Sequence, residues 1–147
     1  ESWMKEVRST RNQIMAITED VMSEERSSMA VCLDTILRYE GISQSTQKML
    51  NRGETVLGIL NHNLQESSIL DLTGCSLDSV LYYVNKDIPV LATLQDGNAV
   101  LIVGFNELNI VVMDPQTGTL YKKGMNDSTQ WLSDNGNQFV TYVRKTE

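Results

Sequence analysis

Two hydrophobic periods divide this chain. Through Val84 the apolar residues recur mostly at intervals of three and four; from Pro89 onward they fall in short β-branched runs separated by turn residues. Between Ser2 and Met22, the residues Trp3, Val7, Ile14, Ile17 and Val21 stand at mostly helical intervals, with Ile14 to Thr18 also compatible with an extended segment. Ser27 to Gly41 is the clearest helix. Ser27 or Ser28 supplies a cap, Met29, Cys32, Leu33, Ile36 and Leu37 recur at three and four, and Gly41 ends it. Ser43 to Asn51 and Glu54 to Asn61 predict two shorter helices, split by Arg52 and Gly53. Ser67 to Thr73 is a short apolar segment, after which Ser76 caps a helical run carrying Leu77, Val80, Leu81 and Val84. Strands are predicted at Val90 to Leu94, Ala99 to Phe105, Ile110 to Met113, Leu120 to Lys122 and Gln138 to Val143. Asn106 to Asn109 reads as a hairpin connection and Pro115 to Gly118 as a turn. A short helix begins at Asn126 or Ser128 and runs through Trp131.

Helices first and antiparallel strands afterwards make an α+β domain. The 147 residues are 41% hydrophobic with only 2 Pro and 9 Gly, which suits one compact unit over residues 1–147. Its ends, Glu1 and Glu147, suggest a domain of a longer protein. The net charge of -7 argues against non-specific binding to nucleic acid or to anionic membranes. No apolar run approaches the roughly 18 residues of a membrane span, so direct membrane insertion is not expected. Two cysteines, Cys32 and Cys75, are too few for a disulfide scaffold. They read as two buried thiols or as one bridge.

Candidate chemistry concentrates in three blocks. Pro89 to Gly118 holds Pro89 and Val90, then Gly97 and Asn98, then Val103 and Gly104, then Asp114, Pro115 and Gly118. Gly74, Leu77 and Leu81 precede it, and the run ending Leu37, Tyr39 and Gly41 lies earlier still. In this order the three blocks resemble those of the bacteriocin-processing (double-glycine leader) cysteine peptidases. The resemblance covers about Val21 to Val143. It implies a papain-like fold, in which N-terminal helices pack on a C-terminal antiparallel sheet and a helix bearing the nucleophile meets strands bearing a His base and an orienting Asp.

The departures from that pattern bear on function. Counting back from Gly41, the nucleophile position falls on Ser28 and the oxyanion-binding Gln position on Met22. The base position holds Asn98, and only Asp114 keeps the residue type that the resemblance implies. An amide cannot take a proton at neutral pH, and a hydroxyl with no imidazole beside it is a poor nucleophile. The expectation is a catalytically degenerate domain whose cleft, walled by Ser28, Met29, Asn98 and Asp114, binds an extended peptide or another domain of the parent protein. The alternative is an active cysteine peptidase or amide hydrolase using Cys32, one helical turn beyond Ser28, with an unrecognised base. The single histidine, His62, is either that base or a solvated helix-end residue. Cys75 precedes a helix start, where a thiolate would be stabilised, or is a small packed residue. Asp20, Glu24 and Glu25 read as a solvated face, and no cofactor or metal is expected. The resemblance implies a bacterial protein and is compatible with a cytoplasmic or an extracytoplasmic setting.

Overall fold

The computed structural model describes residues 13–17 and 26–145, and the secondary structure follows the two periods of the sequence. Residues 13–17 are helical (α1), which resolves the two readings of that stretch in favour of helix. Then come α2 (Ser28–Tyr39), α3 (Thr46–Asn51), α4 (Val56–Asn63), β1 (Ser67–Asp71) and α5 (Leu77–Val84). The C-terminal half holds β2 (Val90–Thr93), β3 (Ala99–Phe105), β4 (Asn109–Asp114), β5 (Thr119–Gly124), α6 (Met125–Asp134) and β6 (Gln138–Arg144). The six strands form one sheet in the order β1-β6-β2-β3-β4-β5, with every neighbouring pair antiparallel.

Helices cover both faces of this sheet. Alternation along the strands sends Leu91, Leu101, Met113, Val140 and Tyr142 to one side, where they pack with Cys32, Leu33, Ile36 and Leu37 of α2 and Ile59 and Leu60 of α4. Val90, Ala92, Ile102, Val112 and Phe139 point to the other side, against Leu77, Val80 and Val84 of α5 and Leu132 of α6. The paired positions Leu91↔Leu101↔Met113 and Val90↔Ile102↔Val112 show why register is fixed here. A one-residue slip would exchange the two cores. A bulge between Ile102 and Gly104 shifts the β3–β4 register, so that Phe105 pairs with Ile110.

The α2 helix is the central strut. Ala30 through Leu37 are all buried, because the sheet covers one side of α2 and α3 and α4 the other. Its start is capped by the Ser27 hydroxyl, which accepts the Ala30 N–H at 3.2 Å. Its end is a Schellman turn: Gly41 sits at φ +86, and Ile42 N–H reaches back to the Leu37 carbonyl at 2.7 Å. Such all-round burial places a charged residue, Asp34, in the interior. Its Oδ1 accepts the Thr46 N–H at 2.8 Å and the Thr46 hydroxyl at 2.6 Å, while its Oδ2 faces Arg26 Nε at 2.7 Å. Burial pushes the Asp34 carboxyl above its ordinary range against the opposing pull of Thr46 and Arg26. At the other end of α2, Glu40 accepts the Tyr142 hydroxyl at 2.6 Å and a two-pronged Arg144 guanidinium at 3.0 and 2.6 Å, tying the helix to β6.

One helix start differs from expectation. The α6 helix begins at Met125 behind Gly124, with no side-chain cap, and Ser128 lies buried within its first turn instead of capping it. The Ser128 hydroxyl has no hydrogen-bond partner among the described residues.

Candidate functional site

Ser28 and Asn98 meet where the first residue of α2 abuts the start of β3. The hairpin joining β2 to β3 brings Asn98 there. Gln95, Asp96 and Gly97 form its loop, closed by Leu94 N–H to the Asn98 carbonyl at 2.8 Å and by Gly97 N–H to the Leu94 carbonyl at 3.0 Å. Gly97 holds φ +86, a conformation that an L side chain would strain. Ser28 donates its hydroxyl proton to Asn98 Oδ1 at 2.8 Å and accepts the Ala99 backbone N–H at 3.1 Å. Both side chains are half-buried, and Met29 beside them is half-buried as well.

The group that orients Asn98 is Asp96. Its Oδ2 accepts the Asn98 amide Nδ2 at 3.0 Å and its Oδ1 accepts the Asn98 backbone N–H at 3.0 Å. These bonds, the backbone one first, hold the exposed Asp96 carboxyl below its ordinary range. The sequence reading assigned the orienting role to Asp114. Asp114 instead closes the next turn: its Oδ1 accepts the Gln116 N–H at 2.9 Å and its carbonyl accepts the Gly118 N–H at 2.8 Å. No bond joins Asp114 to Asn98. Its charge is felt by Cys32 on α2 and by Tyr121 on β5; burial first, and the Asp114 charge second, push both groups up. Asp96 was legible in principle, since an Asp two residues before an Asn in a Gly-containing hairpin is an Asx-turn pattern.

The alternative nucleophile, Cys32, is buried. It lies one turn deeper along α2 than Ser28, fully enclosed in the core, and burial drives its thiol far from the thiolate that attack requires. His62 is exposed in the last turn of α4, in a groove with Met49, Arg52 and Thr55. Both cysteines are free. Cys32 belongs to the core under α2 and Cys75 packs against the core under α5, on the opposite face of the sheet. Met22, the expected oxyanion-side position, lies outside the described residues.

Chemically, the Ser28–Asn98–Asp96 chain is a one-way relay of donors. The hydroxyl proton is directed at an amide oxygen and the amide proton at a carboxylate. Nothing in that chain accepts a proton at neutral pH and later returns it.

Comparison with known proteins places the fold. No family model and no curated protein matches the sequence. The structure is similar to the crystal structure of a Bacillus anthracis protein assigned as a C39-like peptidase, with a TM-score of 0.67 at 17% sequence identity. The match covers 82% of this chain and 90% of that one. The two proteins share a fold, an α+β architecture with helices packed on an antiparallel sheet.

Proposed function

We propose that this domain keeps the peptidase-like scaffold without its hydrolytic chemistry, and that the surface around Ser28, Met29, Asn98 and Asp114 holds an extended peptide, or another segment of the parent protein, without cutting it. The observation that carries this reading is the hydrogen bond from Ser28 Oγ to Asn98 Oδ1 at 2.8 Å. It brings into contact the two residues that the resemblance assigns to nucleophile and base, and these groups cannot exchange a proton at neutral pH. A Ser28 hydroxyl hydrogen-bonded to an amide is a weak nucleophile, and Asn98 cannot activate it. Half-buried polar groups such as Ser28 and Asn98 are suited to hydrogen-bonding a peptide backbone.

The test compares the natural chain with Ser28→Cys/Asn98→His, using peptides that contain a Gly-Gly pair followed by a reporter. The natural chain is expected to show no turnover above buffer and to show saturable peptide binding, with amide shifts at Ser28, Met29, Asn98 and Ala99. The double variant is expected to gain measurable hydrolysis. Turnover by the natural chain that disappears in Ser28→Ala would refute the loss of chemistry. Absence of peptide-induced shifts near Ser28 would refute the binding role.

A further inference from the structure

Across the sheet from Ser28, a groove of about 730 Å³ runs between α5, the β3–β4 connection and the start of α6, lined by Leu81, Tyr82, Phe105 and Met125 among others. A hollow of about 360 Å³ adjoins it, sharing Glu107 and Met125 and adding Leu108 and Asp127. Four large hydrophobic side chains are exposed among the described residues, and two of them, Tyr82 at 55% and Leu108 at 75%, line this surface. Concentration of exposed apolar area in a concave strip marks an interaction surface.

Charge decides which partner suits it. The lining contains the carboxylates of Asp78, Glu107 and Asp127 and no cation. None of the three carboxylates makes a hydrogen bond or ion pair among the described residues. The neighbouring lysines are already engaged: Lys86 Nζ stands 4.9 Å from the Tyr82 ring centre and Lys123 Nζ 5.0 Å from that of Trp131. The walls are also held in place. Asn106 Oδ1 accepts the Leu108 and Asn109 N–H groups at 2.9 and 2.8 Å, and Met125 N–H binds the Leu108 carbonyl at 2.8 Å, which clamps the hairpin tip to α6. A pre-shaped surface lowers the ordering cost of binding.

We propose that this groove docks a cationic amphipathic peptide segment of a partner protein. Its apolar side chains would lie on Tyr82, Phe105 and Leu108, and its Lys or Arg groups would meet Asp78, Glu107 and Asp127. A membrane surface is the wrong partner, because cytoplasmic-leaflet lipids are anionic and would be repelled.

The probe is a short synthetic peptide with Leu and Lys at helical spacing, titrated into the full chain at low salt and followed by backbone amide shifts. Shifts should saturate and map to α5, residues 106–108 and the first turn of α6. Asp78→Asn/Glu107→Gln should weaken binding about fivefold to tenfold, and added salt should weaken it further. Leu108→Ser should weaken binding while the thermal midpoint stays unchanged. Glu66→Gln removes one charge elsewhere on the surface and should change affinity less than about twofold. Four results would each overturn the proposal. They are no saturable binding, equal binding of the Leu–Glu counterpart, shifts spread over the whole acidic surface, and an affinity unaltered in the folded Asp78→Asn/Glu107→Gln protein.

Discussion

Asp34→Ala removes a carboxylate that joins α2 to α3 and to Arg26. The Thr46 N–H, buried at the start of α3, loses its acceptor at 2.8 Å. A buried donor left unsatisfied costs about 1–3 kcal/mol. Arg26, whose side chain is 12% exposed, loses the carboxylate 2.7 Å from its Nε. Breaking a buried ion pair on one side costs about 3–5 kcal/mol. The two losses share one carboxylate, so they overlap, and the expected total is about 4 kcal/mol. A domain of this size shifts its thermal midpoint by about 2–4 °C per kcal/mol, so the variant should melt roughly 8–16 °C lower. Urea unfolding followed by tryptophan fluorescence measures the change directly. The upward shift of the Asp34 carboxyl indicates that burial costs the charge more than its partners return. Exchanging the whole pair, as Arg26→Met/Asp34→Leu, should therefore remove the ion-pair part of the loss and leave about 1–3 kcal/mol, because the buried Thr46 N–H still lacks its acceptor. If Asp34→Ala costs less than about 1 kcal/mol, the network does not hold α2 to α3 and the reasoning fails.

Tyr142→Phe should cost about 1.5–3 kcal/mol at neutral pH, through loss of the 2.6 Å bond to Glu40. Burial, and then the Glu40 charge, push the Tyr142 phenol up, so the folded chain holds that proton more tightly than the unfolded one. Its contribution is fully present below about pH 10 and is lost as pH rises from there through the raised folded value; urea midpoints measured across that range should fall less steeply in Tyr142→Phe. Ser128→Ala deletes a buried hydroxyl that has no partner among the described residues, and should leave stability unchanged or raise it by about 1 kcal/mol; a clear loss on thermal unfolding would show that the hydroxyl is satisfied. Cys32 should resist iodoacetamide in the native chain and react only on unfolding, whereas half-buried Cys75 should label at an ordinary thiol rate; fast native labelling of Cys32, read by peptide mass mapping, would revive it as a nucleophile.

Much of the fold was legible because local chemistry and burial agree. Ser27 and Gly41 bracket α2 as cap and stop, and Ser76 caps α5. The alternating runs at Val90, Ala99 and Ile110 become central strands with a core on each face. What failed depended on tertiary context. Helical spacing places Cys32 on the same side of α2 as Ser28, but only the packed structure shows that Ser28 emerges at the sheet end while Cys32 points into the core. Asp34 carries no sign of burial in its own sequence, since its enclosure comes from α3 and α4 folding over the far side of α2. The family pattern points to Asp114 as the orienting residue, whereas a local Asx turn puts Asp96 within reach of Asn98.

That last difference sharpens the proposed loss of chemistry. In a nucleophile–histidine–carboxylate relay, one ring nitrogen accepts from the nucleophile and the other donates to the carboxylate. Asn98 reproduces this polarity with its amide: Oδ1 accepts from Ser28 and Nδ2 donates to Asp96. It therefore satisfies the same hydrogen-bonding neighbours while lacking the one property catalysis needs, a site that gains and gives back a proton near neutral pH. Such a replacement preserves the junction between α2 and β3 at little cost in stability, because every polar group there stays paired. The Ser28–Asn98 bond joins residues 70 positions apart in sequence, so it also pins the helix to the sheet.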